Sequence, residues 1–204
     1  MASQFSTLTA PSLFPNARVE LVDAPVQVPE TTISLDPGRT TGLVIAVGPR
    51  ELKDRCNQCG RLYTERSCGP THADAGQRRK AALGQWIVAE VVELPTLWQV
   101  LHTYKPRSIL FERFDAENVA ANNEALDIRG IVKLYRDLTL SPKIWWQPRE
   151  VKKFSSDQML KANGLWCRGM QHGRDAMRHL VWHLVKRHGE TSFLEWTREV
   201  MPNA

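Results

Sequence analysis

Two short apolar runs each deliver one carboxylate: Ile33-Ser34-Leu35-Asp36 leads into Pro37-Gly38, and Ile109-Leu110-Phe111-Glu112 leads into Arg113-Phe114. An acid inside such a run is costly to bury unless a cation or hydrogen bonds compensate it. A third acid, Asp175, follows His172 by three residues in His172-Gly173-Arg174-Asp175, where an amphipathic stretch opens, so the two share a helix face. Carboxylates crowded together repel one another, and a divalent ion that takes oxygen ligands relieves the repulsion. Two Mg²⁺ or Mn²⁺ ions in one such site can activate a water, bind a phosphate oxygen and stabilise a leaving 3′-oxygen, the chemistry of phosphodiester hydrolysis. Each residue also has a purely structural use. Asp36 could form an Asx-turn over Pro37-Gly38, Glu112 could pair with Arg113 on an edge strand, and Asp175 or His172 could simply sit at a helix N-terminus. His179, one turn beyond Asp175, is an alternative ligand to His172.

A second group of donors lies between the two runs. Cys56 and Cys59, followed by Cys68 and His72, give the spacing C-x₂-C-x₈-C-x₃-H. That pattern suits a structural Zn²⁺ ion, whose closed tetrahedral set can fold a small insert lacking a core of its own. A redox pair at Cys56 and Cys59, or unliganded thiols, are the other uses of these residues. Cys167 stands alone and reads as a packing residue. Arg55, Arg61, Arg66, Arg78, Arg79 and Lys80 surround the insert, so it is expected either to touch a DNA arm or to serve as a solvated structural hairpin.

The elements that must position these groups follow from periodicity. Residues 1–30 are rich in Ser, Thr, Pro and Ala and read as a flexible arm, with a possible short strand at Val19 to Val22. Ile33 to Asp36 and Thr41 to Val47 read as a hairpin, and residues 49–84 as the inserted zinc-binding subdomain. Strand character resumes over Gln85 to Leu94, followed by a helix from Pro95 to Tyr104 and a strand over Arg107 to Phe114. A helix over Asn123 to Leu138 is expected to pack through Leu126, Ile131, Leu134 and Leu138, before a strand at Lys143 to Trp146 and a short basic helix after Pro148. The last helix spans about Gly173 to His188, with Ala176, Leu180 and Leu184 on its inner stripe. Residues 191–204 form a tail. Together these predict one α/β nuclease domain over residues 31–190, a ribonuclease H-like mixed sheet flanked by helices.

Charge points to the partner. The chain carries 27 Lys and Arg against 22 Asp and Glu, a formal charge of +5. The excess is confined to residues 143–188, with ten bases against three acids, and residues 50–84, with eight against four. Two basic regions on an otherwise acidic chain are the pattern expected of a surface that follows a phosphate backbone. No apolar run approaches membrane-spanning length, and no basic-then-apolar leader opens the sequence, so a soluble intracellular protein is expected.

These residues resemble a known family, the RuvC-type Holliday junction resolvases including their phage-borne members, over roughly Ile33 to His188 without the insert. Asp36 in Leu-Asp-Pro-Gly is similar to the family's first-strand acid, Glu112 in Leu-Phe-Glu-Arg-Phe to its second, and Ala121 to Gly130 to the helix that follows. Gln147-Pro148-Arg149-Glu150-Val151-Lys152 resembles its Pro-x-x-Val-Lys segment, and His172-Gly-Arg-Asp175-Ala176 its paired ligands, although His172 stands where Asp is commoner. The resemblance implies a homodimeric, two-metal endonuclease that resolves branched DNA by paired cuts, working in the cytoplasm of a bacterial or phage-infected host cell. It implies Asp36, Glu112, His172 and Asp175 as metal ligands, with His172 shifting preference toward Mn²⁺. Lys152 is implied as a phosphate-contacting base, with Lys153 and Arg174 beside it, and Phe114 lies near a junction-wedging aromatic. A broader flap or fork nuclease, or an inactive structure-specific nucleic-acid-binding protein, are the competing functions.

Overall fold

A computed structural model of the chain describes residues 13, 14, 16–26, 28–48, 85–113 and 123–190. The insert with Cys56, Cys59, Cys68, His72, Arg78, Arg79 and Lys80 lies outside these residues, as do Phe114 and the C-terminal tail.

Three consecutive strands meander: β2 (Thr32–Asp36), β3 (Thr41–Ala46) and β4 (Gln85–Val91), each antiparallel to the last. Helix α1 (Leu94–Tyr104) carries the chain to β5 (Ser108–Glu112), parallel to β2, and α2 (Asn123–Thr139) carries it to β6 (Lys143–Gln147), parallel to β5. Helices supply both crossovers because parallel neighbours cannot be joined by a tight turn. Two short helices, α3 (Val151–Phe154) and α4 (Asp157–Ala162), precede the long α5 (Gln171–His188). With β1 (Arg18–Asp23) at one edge, the sheet order is β1-β4-β3-β2-β5-β6, the ribonuclease H-like arrangement with one additional edge strand.

That edge strand pairs antiparallel with β4 from Arg18↔Glu90 to Asp23↔Gln85. The possible short strand at Val19 to Val22 is thus present and extends over residues 18–23. The N-terminal segment also buries Phe14, Val22, Val26 and Val28 in the core, and this apolar burial holds it to the sheet.

The central strands are buried on both faces, and their alternation sorts side chains into two cores. Ile33, Leu35, Leu43, Ile45, Ile109 and Phe111 pack under α1 and α2, while Val44, Ala46, Val88 and Leu110 pack under α4 and α5. Period two then sends Ser34, Asp36 and Glu112 toward α5. Each fully buried Val, Leu, Ile or Phe contributes about 1.5–3 kcal/mol, enough in aggregate to offset burying a few polar groups. Helix α2 turns out to pack through Ala125, Ile128, Val132 and Tyr135, leaving Leu134 52% and Leu138 66% exposed. The helix matches expectation, but its inner face is the neighbouring stripe. Among the described residues no helix is long and apolar enough to cross a membrane.

Candidate active site

Strand register assembles a row of polar residues across the sheet. Glu112 pairs with Gln147 of β6, and Asp36 follows the Leu35↔Phe111 pair, which sets it beside Glu112. On its other side Asp36 pairs with Gly42, and Gly42 with Glu90. Gln147, Glu112, Asp36, Gly42 and Glu90 thus cross five strands in one line, on the face that α5 covers. The buried Ser34 hydroxyl donates to the Ala176 carbonyl at 2.7 Å, bringing the helix close to the sheet over this row.

Helix α5 lays a matching stripe above it. His172 Nδ1 lies 2.9 Å from Asp36 Oδ2, and the fully buried His179 places Nε2 3.4 Å from Glu112 Oε2. His179 Nδ1 lies 2.6 Å from Gln147 Oε1, a contact that orients the ring so that its other nitrogen faces Glu112. Lys152, from α3, enters between the carboxylates. Its Nζ lies 2.7 Å from Asp36 Oδ1, 2.7 Å from Glu112 Oε2 and 3.2 Å from Asp175 Oδ2. Asp175 is held on its other oxygen by Arg178, which also pairs with Asp157.

Asp36, Glu112 and Asp175 meet at Lys152 and His172 reaches Asp36, but the donors whose ligand atoms all lie within 4.8 Å of one another are Asp36, Glu112 and His179, the histidine that the sequence offered as the alternative to His172. Lys152 is in the cluster itself. Lys153 is exposed on α3, whereas Arg174 stacks 4.3 Å over Trp166 and donates to the Cys167 carbonyl at 2.9 Å. Trp145 packs into the α5-side core with Lys143 and Arg187 over its ring, and Trp146 is 39% exposed beside Arg129. Gln147 and Glu90 were not recognised from sequence as parts of the site. A polar residue ending the strand beside Glu112 was the available signal for Gln147, whereas nothing in the sequence around Glu90 sets it apart.

Burial pushes the Asp36 carboxyl up to about 6, helped by its hydrogen bond to Glu112 and opposed by Lys152 and His172. Burial would raise Glu112 as well, but hydrogen bonds with His179, Asp36 and Lys152 outweigh it and hold the group at about 2. Of the two acids, Asp36 is therefore the one that takes up a proton first as pH falls. Burial acts to lower the Lys152 ammonium, yet the charges of Asp36 and Glu112 drive it well above the ordinary lysine range.

This donor set fits a divalent cation. An ammonium nitrogen already sits where three carboxylates demand positive charge, and ligand atoms of Asp36, Glu112 and His179 all lie within 4.8 Å of one another. Carboxylate oxygens with imidazole nitrogen suit Mg²⁺ or Mn²⁺. The fold and site together define a ribonuclease H-like chain with a carboxylate-histidine cluster at the C-terminal ends of its parallel strands. No protein-family model and no curated protein matches the sequence. Among solved structures, the chain is similar to Thermus thermophilus RuvC in complex with a Holliday junction substrate, at 17% identity and a TM-score of 0.43, covering 79% of this chain and 97% of that one. A further Thermus thermophilus RuvC structure is similar at 16% identity and a TM-score of 0.44, covering 78% and 97%. A likeness at this level carries no inference about substrate or mechanism.

Proposed function

We propose that this protein is a metal-dependent endonuclease that cuts branched DNA, four-way junctions foremost, as a homodimer. The observation that carries the reading is the convergence of Asp36, Glu112 and Asp175 on Lys152 at the end of the central strands. Three partly or fully buried acids held together have no structural use that a single hydrogen-bonded acid would not serve better. The metal ligands are Asp36, Glu112 and Asp175, with His172 at one end of the cluster and His179 at the other. Bound there, two Mg²⁺ or Mn²⁺ ions would supply an activated water and neutralise charge on the phosphate and leaving oxygen. Gln147 fixes the His179 ring, Arg178 fixes Asp175, and Lys152 holds a phosphate oxygen once its carboxylates have another cation. Basic residues of the 143–188 region supply affinity for the backbone. The choice of junctions rests on the sequence resemblance, and two-fold symmetry supports a dimer because a junction offers two equivalent strands. A zinc-bound insert at residues 49–84 completes the proposal.

Cutting and binding should separate on substitution. Asp36→Asn and Glu112→Gln should each lower cleavage of a labelled junction by about a hundredfold or more while still shifting it on a gel. Cleavage at the wild-type rate by either variant would refute the assignment.

A further inference from the structure

Helix α5 presents both His172 and Asp175, yet the residue at its capping position does not cap it. The first amides of a helix lack acceptors within it, and Met170, at the capping position, provides no side-chain oxygen. The acceptor comes from the sheet. Glu90 Oε1, in β4, accepts from the His172 N–H at 2.8 Å and from the Gly173 N–H at 3.2 Å, across 82 and 83 residues of sequence. A carboxylate there also complements the positive end of the helix dipole.

Between Glu90 and Asp36 in the same row lies Gly42. A Cβ at that position would stand 1.9 Å from the His172 carbonyl oxygen and 2.7 Å from the Gly173 nitrogen. Only the missing side chain lets the helix start descend onto β3, and that descent is what lets His172 Nδ1 reach Asp36 at 2.9 Å. Acceptor, gap and site carboxylate are neighbours on three adjacent strands. Glu90 is not itself among the donors that converge within 4.8 Å, and its Oε1 accepts from two amides.

We infer that Glu90 and Gly42 are positioning residues: one pulls the start of α5 onto the sheet, the other makes room for it, and together they set the distance between His172 and Asp36. That role presupposes the metal centre proposed above. An ordinary cap would only stabilise α5, whereas a positioning cap also sets metal affinity.

Calorimetric titration of the full chain with Mn²⁺ alone, beside melting temperatures, separates the two. Glu90→Gln keeps a carbonyl acceptor and should bind Mn²⁺ within about threefold of wild type, whereas Glu90→Ala should bind at least about tenfold more weakly. Gly42→Ala leaves Glu90 in place and should weaken Mn²⁺ by a similar factor, which keeps the test open if Glu90→Ala does not fold. Amide exchange at His172 and Gly173 should quicken in Glu90→Ala and stay protected in Glu90→Gln. Wild-type Mn²⁺ affinity in Glu90→Ala, or a loss in Glu90→Gln as large as in Glu90→Ala, would overturn the positioning role alone. A wild-type chain that takes up no Mn²⁺ would remove the metal centre and this role with it.

Discussion

An ammonium bonded to three carboxylates leaves all three facing one another's charge once it is removed. Lys152→Met should therefore destabilise the metal-free chain at pH 8 by about 2–3 kcal/mol, less than for a fully buried partner, because the Lys152 side chain is 22% exposed. The pH dependence has a definite sign. Asp36 holds its proton more tightly folded, at about 6, than its ordinary 3.8, so its contribution to stability is present below pH 3.8 and lost as pH rises through 6. Without Lys152 that loss should deepen, so the gap between variant and wild type widens from pH 5 to pH 8 in urea titrations with EDTA. Excess Mn²⁺ should close it. Equal stability at pH 8 would mean that Lys152 does not hold the acids together. Asp36 and Glu112 were legible in the sequence because each ends a short apolar run. Glu90 and Gln147 were not, because their partners are chosen by strand register and helix docking, which local pattern does not encode.

The elements were largely legible for the same reason: the period-two runs and the α5 stripe each have one consistent reading. Helix α2 shows the limit, since two apolar stripes run along it and only the sheet decides that Ile128 and Tyr135 go inside rather than Leu134 and Leu138. Strand β1 was legible as a short strand at Val19 to Val22, but its partner was not, because its pairing with β4 is remote in sequence. Helix α4 went unread although Ser156 signalled it, its hydroxyl accepting from the Met159 N–H at 3.2 Å. One turn beyond His179 on α5, His183 is buried with no hydrogen-bond partner on Nδ1. Burial, with help from His188, Arg187 and Lys143, pushes it down to about 4 from its usual 6.5. The unfolded chain then binds more protons than the folded one between these values, so stability is present above pH 6.5 and is lost as pH falls through 4. That loss should reach about 2–3 kcal/mol. His183→Leu should flatten the slope of stability against pH in this window, measured by denaturant titration, and an unchanged slope would place the titrating group elsewhere.

For the whole molecule, the basic excess matters less as a sum than by which bases are free. Of the ten Lys and Arg in residues 143–188, Lys152 and Arg178 are engaged by acids, while Lys143, Lys161, Arg174, Lys186 and Arg187 lie over aromatic rings. Arg149, Lys153 and Arg168 make no ion pair among the described residues and, under the proposed function, would be the phosphate contacts. Arg149→Ala with Lys153→Ala should lower the slope of log affinity against log salt by about 1–2, alike for junctions of any sequence. An unchanged slope would move the DNA surface elsewhere. For the insert, purified chain should carry one zinc that Cys59→Ser releases, and metal analysis without zinc would dismiss that site. The most direct measurement is cleavage of an end-labelled four-way junction beside a linear duplex of equal length, at moderate salt with competitor DNA, in Mg²⁺ and in Mn²⁺. Wild-type protein should place paired nicks on opposing strands of the junction and leave the duplex intact, while Asp36→Asn binds the junction uncut. Equal cutting of both substrates would indicate a general nuclease, and binding without cutting in either metal would contradict the enzyme altogether.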